Sequence, residues 1–153
     1  PCDITRNGLQ RRIYTTRQPL HLIAAITPFN HPMNQVAHKV APAIATNNAV
    51  VLKPSEKTPL AAYCLAQLAL DCGLPSDMLN VINGPDVANL LVTSDLVDLI
   101  TFTGSSAVGR SIAERAGYKR LVLELGGSSA LLVLSDAHIA AAVAITAARL
   151  VKN

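Results

Sequence analysis

Short continuous apolar runs alternate along the chain with stretches of helical periodicity. The run at 20–26 predicts a strand, which Thr27 and Pro28 end, because proline fixes its own φ and restricts the residue before it. A helix is predicted to follow and to end near residue 45, from apolar residues at helical spacing: Met33, Val36, Ala37, Val40 and Ile44. The run at 49–53 barely alternates, as in a parallel strand covered on both faces. These elements predict one βαβ unit.

The rest of the chain continues the same alternation. We predict further strands at 79–82, 98–102, 121–125 and 130–134, and further helices at 59–72, at 86–93, from 106 onward and at 137–151. Strands that alternate with helices indicate a parallel sheet. The predicted fold class is therefore α/β, a Rossmann-like open parallel sheet with helices on both faces.

Capping residues and buried faces follow from the same periodicity. Thr58 and Asp136 are predicted to cap the helices that follow them, and Gly73 is placed to end the first of these. The third helix is expected to turn Val87, Leu90 and Leu91 inward. For the helix after Thr58 the predicted buried face comprises Leu60, Cys64, Leu65, Leu68 and Ala69, and for the last helix one apolar face comprises Ile139, Val143, Ala147 and Leu150.

The first 18 residues form a basic arm. The loosely alternating segment 11–17 predicts an exposed strand. The arm holds Arg6, Arg11, Arg12 and Arg17 against Asp3, which accounts for the net charge of +3. Because no row of aromatic platforms accompanies these charges, we interpret the arm as solvated or facing another subunit, and not as binding nucleic acid.

Composition narrows the class of protein further. Half of the 153 residues are hydrophobic, and the aromatic residues are three Tyr and two Phe, so the core is expected to be aliphatic. No apolar run reaches the length of a membrane span and no signal-peptide pattern is present, so we expect a cytoplasmic protein without membrane contacts. Cys2, Cys64 and Cys72 form no CxxC pair, so we expect free thiols and no metal site.

Candidate chemistry follows the first two predicted strands. Asn30 follows the first strand, and Lys53, Ser55 and Glu56 come at the end of the second. Parallel strands end at the same edge of a sheet, where open α/β folds bind ligands. Asn30 could donate a hydrogen bond to a developing oxyanion, while Lys53 and Glu56 could hold ribose hydroxyls or a phosphate. The alternative is a turn asparagine beside two solvated charges.

Two later segments also suggest ligand chemistry. The turn Thr103-Gly104-Ser105 leads into a helix, so its backbone amides are suited to an anion such as a pyrophosphate. It is not a P-loop, because Arg110 stands where that motif requires lysine. Glu124 lies among apolar residues, where desolvation would raise its pKa toward that of a general base near neutrality. The alternative is a strand-end glutamate paired with a lysine or arginine.

Four motifs in this order resemble the aldehyde dehydrogenase superfamily: Pro28-Phe29-Asn30, Lys53-Pro54-Ser55-Glu56, Phe102-Thr103-Gly104-Ser105 and Glu124-Leu125-Gly126-Gly127. The resemblance implies that Asn30 is an oxyanion-hole donor and that Glu124 activates the deacylating water. It also implies that Lys53 and Glu56 hold the adenosine ribose of NAD, since a carboxylate would repel the 2′-phosphate of NADP. The other implied cofactor-binding residues are Ile26, Thr27, Pro28, Phe29, Ser55, Gly84, Phe102, Thr103, Gly104, Ser105, Val108, Leu125 and Gly126.

The segment 27–48 looks most like the phosphonoacetaldehyde dehydrogenase branch, which implies a small aldehyde substrate such as phosphonoacetaldehyde. His31 could present a proton to an anionic aldehyde, or it could cap or pack at the helix start. The family usually has glycine where this chain has His21.

The nucleophilic cysteine of the family follows the glutamate motif, and none of the three cysteines matches its place. We therefore expect a fragment that is inactive alone: an oligomerisation arm at 1–18 and an NAD-binding domain at 19–153, cut before the catalytic domain. The full-length enzyme is expected to be a homo-oligomer. The alternative is a non-catalytic NAD-binding or assembly module.

Overall fold

The computed structural model describes residues 6, 12, 14–128 and 130–150. The strands are β1 (Leu22–Ile26), β2 (Ala49–Lys53), β3 (Leu79–Val81), β4 (Leu99–Gly104) and β5 (Arg120–Leu125). The helices are α1 (Pro32–Ala45), α2 (Leu60–Asp71), α3 (Val87–Thr93), α4 (Ser106–Arg115) and α5 (Ile139–Leu150).

The strands form one parallel sheet in the order β3-β2-β1-β4-β5. Alternate residues of β1 point to opposite faces, so Ile23 and Ala25 pack with α1 and α2, while Ala24 and Ile26 pack with α3 and α4. The predicted Rossmann-like sheet with helices on both faces is therefore confirmed.

The path of the chain creates a crevice between β1 and β4. After β1 the chain passes through α1 to β2 on one side, and after β4 it passes through α4 to β5 on the other. The two crossover helices lie on opposite faces of the sheet. A crevice therefore opens at the carboxyl ends of β1 and β4, which is where open α/β sheets bind their ligands.

β1 is shorter than the predicted strand at 20–26. His21 adopts a left-handed conformation with φ 69°, which interrupts the extended chain before Leu22. The backbone N–H of Leu20 donates to Asn48 Oδ1 at 2.5 Å instead of to a neighbouring strand. Glycine adopts such a left-handed backbone without steric cost, which is consistent with the glycine that the resemblance implies at this position.

The predicted buried face of α2 is wrong in phase. Ala62 is buried and Leu65 and Ala69 are partly buried, whereas Leu60, Cys64 and Leu68 are exposed. Apolar residues surround this helix almost completely, so their periodicity does not fix which side faces the sheet. In α3, similarly, Leu91 and Val92 are buried and Leu90 is exposed.

Both predicted threonine and aspartate caps are also wrong. The Thr58 hydroxyl does not cap α2 but donates to the backbone oxygen of Phe29 at 3.3 Å. At α5 the cap comes from His138, whose Nδ1 accepts from the backbone N–H of Ala141 at 3.3 Å, because α5 begins later than expected. The helix ends at Leu150, and residue 151 lies outside the described residues.

Two predicted strands do not form in the described chain. Residues 130–134 are neither strand nor helix. The same holds for residues 12 and 14–17 of the strand predicted at 11–17, whose residues 11 and 13 lie outside the described residues. A strand is stabilised by hydrogen bonds to a neighbouring strand, and neither segment pairs with one among the described residues. The apolar side chains of 131–134, and Ile139 and Val143 on α5, are consequently exposed. Throughout the described residues, no helix has the length and apolar content to cross a bilayer.

Candidate active site

The loop after β1 carries the PFN motif at the edge of the crevice. Its first residue, Thr27, is buried, and its N–H donates to the backbone oxygen of Lys53 at 3.2 Å. The loop then rises into solvent, so Phe29 and Asn30 are exposed. His31 precedes α1 with φ 47° and ψ 52°, a left-handed conformation rare for a residue with a Cβ. Its side chain makes no capping hydrogen bond and is exposed, so the interpretation of His31 as a capping or packing side chain is wrong.

The end of β2 places an ammonium group beside a carboxylate. Lys53 is 7% exposed, and its Nζ forms an ion pair and hydrogen bond with Glu56. The hydrogen bond from Lys53 holds the pKa of the Glu56 carboxyl below its usual range. Glu56 itself remains half-exposed, so one donor and one acceptor stand together at the edge of the sheet. Such a pair matches the adjacent hydroxyl groups of a sugar.

The end of β4 forms the opposite side of the crevice. Ser105 caps α4, and its Oγ accepts from the backbone N–H of Val108 at 3.3 Å, which leaves its hydroxyl hydrogen for another acceptor. The Thr103 hydroxyl is buried without a hydrogen-bond partner in the described chain. Phe102 is buried beneath Gly104, where an added Cβ would clash with Phe102 Cζ. The Phe102 ring therefore leaves room only for glycine at position 104 of the turn.

Glu124 lies at the end of β5, in register with Thr103. Its side chain is exposed, so the expected burial among apolar residues is wrong: β5 is an edge strand, and no described helix covers this face of it. No ion pair within 4.0 Å reaches Glu124 from the described residues, which removes the salt-bridge alternative there. The adjoining Gly126 backbone oxygen accepts from Ser106 Oγ at 3.1 Å, which ties the end of β5 to the start of α4.

Lys39 was missed by the sequence analysis. It lies on the inner face of α1, is 7% exposed, and donates from Nζ to Thr101 Oγ1 at 3.0 Å. Burial lowers its pKa, and the nearby charge of Glu124 partly offsets that effect. It borders a cavity of about 910 Å³ that also reaches Arg120 and Val122 on β5. Lys39 lies between Val36 and Val40 on the apolar face of the helix, and this position in the sequence indicates that its side chain is buried.

The structure brings most of the predicted residues to one edge of the sheet. The segments from Ile26 to His31, from Lys53 to Glu56, from Phe102 to Ser105 and from Glu124 to Gly126 all lie at the carboxyl ends of parallel strands. Val108 is exposed in the first turn of α4. Gly84, with φ 148°, follows β3 at the far edge and is the most peripheral of the set.

A dinucleotide fits the groups present at this edge. The amino end of α4 offers backbone N–H groups and the Ser105 hydroxyl to a phosphate. The Lys53–Glu56 pair offers a donor and an acceptor to a ribose. The buried hydroxyl of Thr103, two residues before Ser105 on β4, lacks a partner in the described chain, as expected for a group that binds a ligand. The fold and the site together define a dinucleotide-binding α/β protein.

Comparison with known proteins narrows this class. Residues 3–153 match the family model described as "Aldehyde dehydrogenase family", so the chain belongs to the aldehyde dehydrogenase family. The family resemblance stated from the four motifs is thereby confirmed. Aspartate-semialdehyde dehydrogenase 1 of Pseudomonas canavaninivorans is 44% identical over 144 residues, which cover 94% of this chain and 31% of that protein. The chain thus spans about a third of the length of this relative.

Solved structures agree with this assignment. Aldehyde dehydrogenase C of Pseudomonas syringae, a mutant crystallised with NAD+ and octanal, matches with a TM-score of 0.79 and 40% identity, over 89% of this chain and 30% of that chain. Glyceraldehyde-3-phosphate dehydrogenase GapN of Methanocaldococcus jannaschii, crystallised with NADP, matches with a TM-score of 0.69 and 43% identity, over 73% of this chain and 26% of that chain.

Proposed function

We propose that this chain is the cofactor-binding part of an enzyme that oxidises an aldehyde to a carboxylate with NAD. The observation that carries the proposal is the placement of Asn30 and the amino end of α4 on the two sides of one crevice. Family membership supplies the reaction class. When NAD is bound, its nicotinamide ring accepts the hydride that the aldehyde carbon loses.

Binding of the cofactor is assigned to the ends of β2 and β4. Lys53 and Glu56 hold the adenosine ribose, since they already form a donor and acceptor pair. Ser105 and the first N–H groups of α4 hold the pyrophosphate. The Glu56 carboxylate is charged at neutral pH, as an unshifted glutamate already is, and the lowered pKa keeps it so; this charge would repel the additional phosphate of NADP. We therefore assign NAD as the cofactor.

The chemical roles fall to Asn30 and Glu124. The exposed amide of Asn30 donates to the carbonyl oxygen as negative charge develops there. Glu124, at the end of β5 on the far side of β4, accepts the proton of the water that releases the acid. We place the nucleophilic thiolate outside residues 1–153, because none of Cys2, Cys64 and Cys72 follows Glu124 in the sequence. Cys64 and Cys72 are exposed on and just after α2.

The proposed substrate is a small aldehyde that carries an anionic group, of which phosphonoacetaldehyde is our first candidate. Several relatives are named for aldehydes of this kind, among them aspartate-semialdehyde, 3-sulfolactaldehyde and succinate-semialdehyde. In this chain the exposed imidazole of His31 adjoins Asn30, and it can present a proton to a phosphonate oxygen. We also propose that the arm at 1–18 contributes to a homo-oligomer of the full-length enzyme, which light scattering would measure.

Steady-state kinetics on the full-length protein test the proposal. We expect NADH formation with phosphonoacetaldehyde, with a higher kcat/KM than for the three aldehydes named above. Asn30→Ala should lower kcat by about 100- to 1000-fold, the usual effect of removing one oxyanion donor, with little change in NAD affinity. A polypeptide of these 153 residues should bind NAD in calorimetry without turnover.

Three results would contradict parts of the proposal. A clear preference for another aldehyde would refute the phosphonoacetaldehyde assignment alone. Full activity of Asn30→Ala would refute the role given to that amide. Binding of NAD by the full-length protein without oxidation of any aldehyde would favour a non-catalytic module.

A further inference from the structure

The loop that follows β2, residues 54–59, holds the loop that carries Asn30. The Thr58 hydroxyl donates to the backbone oxygen of Phe29 at 3.3 Å, a contact across 29 positions of sequence. Beside it, the Lys57 ammonium lies over the Phe29 ring, 4.9 Å from its centroid, which is within the range of a cation–π interaction. One residue of the PFN motif is therefore held through its backbone and through its ring.

These two contacts neither cap α2 nor bury the Phe29 ring in the core. Thr58 lies where it would be expected to cap α2, yet its hydroxyl is directed to Phe29. The Phe29 ring is 55% exposed, so burial in the core contributes little to its placement. The next turn of the chain is the left-handed His31, an unfavourable conformation that the surrounding contacts must maintain. The contacts from Lys57 and Thr58 act on the loop at the point just before Asn30.

We propose that Lys57 and Thr58 are positioning residues, which hold Phe29 and thereby fix the direction of the Asn30 amide. The inference rests on the proposed function, in which Asn30 donates to the carbonyl oxygen of an aldehyde. Such a donor acts only when it lies within about 3 Å of the developing oxyanion, so a small shift of an exposed loop weakens it. The residues that hold the loop thus control the strength of the oxyanion hole.

The arrangement also links the cofactor to the oxyanion hole. Lys53, the last residue of β2, and Glu56, in the loop, are assigned to the ribose and directly precede Lys57 and Thr58. A second link is the hydrogen bond from Thr27 N–H to the Lys53 backbone oxygen at 3.2 Å. The segment that carries the ribose pair therefore also contacts Phe29, the residue just before Asn30.

Substitutions in the full-length enzyme test the inference. Thr58→Val keeps the shape and removes the donor, and Lys57→Met keeps the chain length and removes the charge. Each should lower kcat about three- to tenfold, the effect of losing one weak contact, while the Kd for NAD changes less than about twofold. Thr58→Ser and Lys57→Arg should restore most of the loss, because both keep the interacting group.

A matched control is available on α3. The Thr93 hydroxyl donates to the backbone oxygen of Asn89 within its own helix at 3.0 Å, so Thr93→Val removes a comparable hydrogen bond away from the crevice. It should leave kcat unchanged. If Thr93→Val and Thr58→Val lower kcat equally, the effect is one of general stability and the inference is wrong.

The decisive comparison is made in an Asn30→Ala background. If Lys57 and Thr58 act through the Asn30 amide, then Thr58→Val and Lys57→Met should cause no further loss once that amide is gone. The same fold loss with and without Asn30 would overturn the inference.

Hydrogen exchange gives a measurement that is independent of turnover. Amide protons of residues 27–35 should exchange faster in Thr58→Val than in the unsubstituted protein, because the loop has lost one of its contacts. Unchanged exchange there would overturn the inference. An unsubstituted protein that oxidises no aldehyde would instead refute the proposed function, and the exchange rates would still decide whether Lys57 and Thr58 hold the loop.

Discussion

Lys39→Met should stabilise the protein, although it removes a hydrogen bond. The ammonium group of Lys39 is almost fully buried, and the hydrogen bond it donates to Thr101 Oγ1, at 3.0 Å, is to a neutral group. Burial of an ion costs several kcal/mol, and a hydrogen bond from a charged donor returns only about 1.5–3 kcal/mol. Methionine has a similar length without the charge, so we expect the free energy of unfolding at pH 7 to rise by about 1–2 kcal/mol.

Thr101→Val should have the opposite effect and lower the free energy of unfolding. It removes the acceptor and leaves the Lys39 ammonium buried without its partner, which should lower the free energy of unfolding by about 1–3 kcal/mol. The double substitution Lys39→Met with Thr101→Val should lose this penalty, because no buried polar group is then left unpaired.

The pH dependence gives a second measurement of the same group. Burial lowers the pKa of Lys39 from 10.5 in the folded state. Between that lowered value and 10.5, the unfolded chain holds a proton that the folded chain has lost, so stability rises as the pH increases through this window. Below the window both states are protonated and the cost of burial is constant. The stability of Lys39→Met should not rise with pH in this window.

Equilibrium urea unfolding at a series of pH values measures both effects. The m-value should stay constant, so that a change in midpoint reports stability directly. The reasoning would be refuted if Lys39→Met lowered the free energy of unfolding at pH 7, or if its stability rose toward alkaline pH as steeply as that of the unsubstituted protein.

Three further substitutions test other features. Asn48→Ala should lower the free energy of unfolding by about 2–4 kcal/mol, because the buried side chain bonds both Leu20 N–H and the Ala43 oxygen; an Asn47→Gly control should change it by less than about 0.5 kcal/mol. His21→Gly should raise it by about 0.5–1 kcal/mol through relief of the left-handed backbone, and a fall in Tm would contradict this. Lys53→Met should return the Glu56 pKa toward its usual range in an NMR titration, whereas an unchanged value would exclude the hydrogen bond as its cause.

The strands and the ligand-binding edge were predictable because their signals are local. β2 was predicted with both of its ends, since a run without alternation lies between a turn and Pro54. Asn47, in the turn after α1, has a left-handed backbone with φ 59°, a conformation that asparagine tolerates. Parallel strands must end at one edge, so the convergence of Asn30 and the Lys53–Glu56 pair needed no tertiary information.

The errors arose where sequence leaves the packing direction undetermined. α2 is apolar around most of its circumference, so the exposure of Cys64 could not be read from its spacing. The segment 130–134 has a strand-like composition, but strand formation depends on a neighbour that composition does not reveal. The environment of Glu124 depends on what covers β5, which is also a tertiary property. Lys39 belongs to no recognised motif, and only its place on the apolar face of α1 between Val36 and Val40 indicates that it is buried.

The strand order has a consequence for how the protein folds. β1, β2 and β3 meet through short crossovers, whereas the pairing of β1 with β4 joins distant parts of the chain: Leu22 N–H donates to Asp98 Oδ2 across 76 positions. Closing so long a loop is entropically more demanding, so we expect β4 to dock after the first three strands have assembled. The crevice lies between β1 and β4, the two strands that are expected to pair last. The ligand site is therefore absent until β4 has paired with β1. A dinucleotide then stabilises only the state in which these two strands are paired.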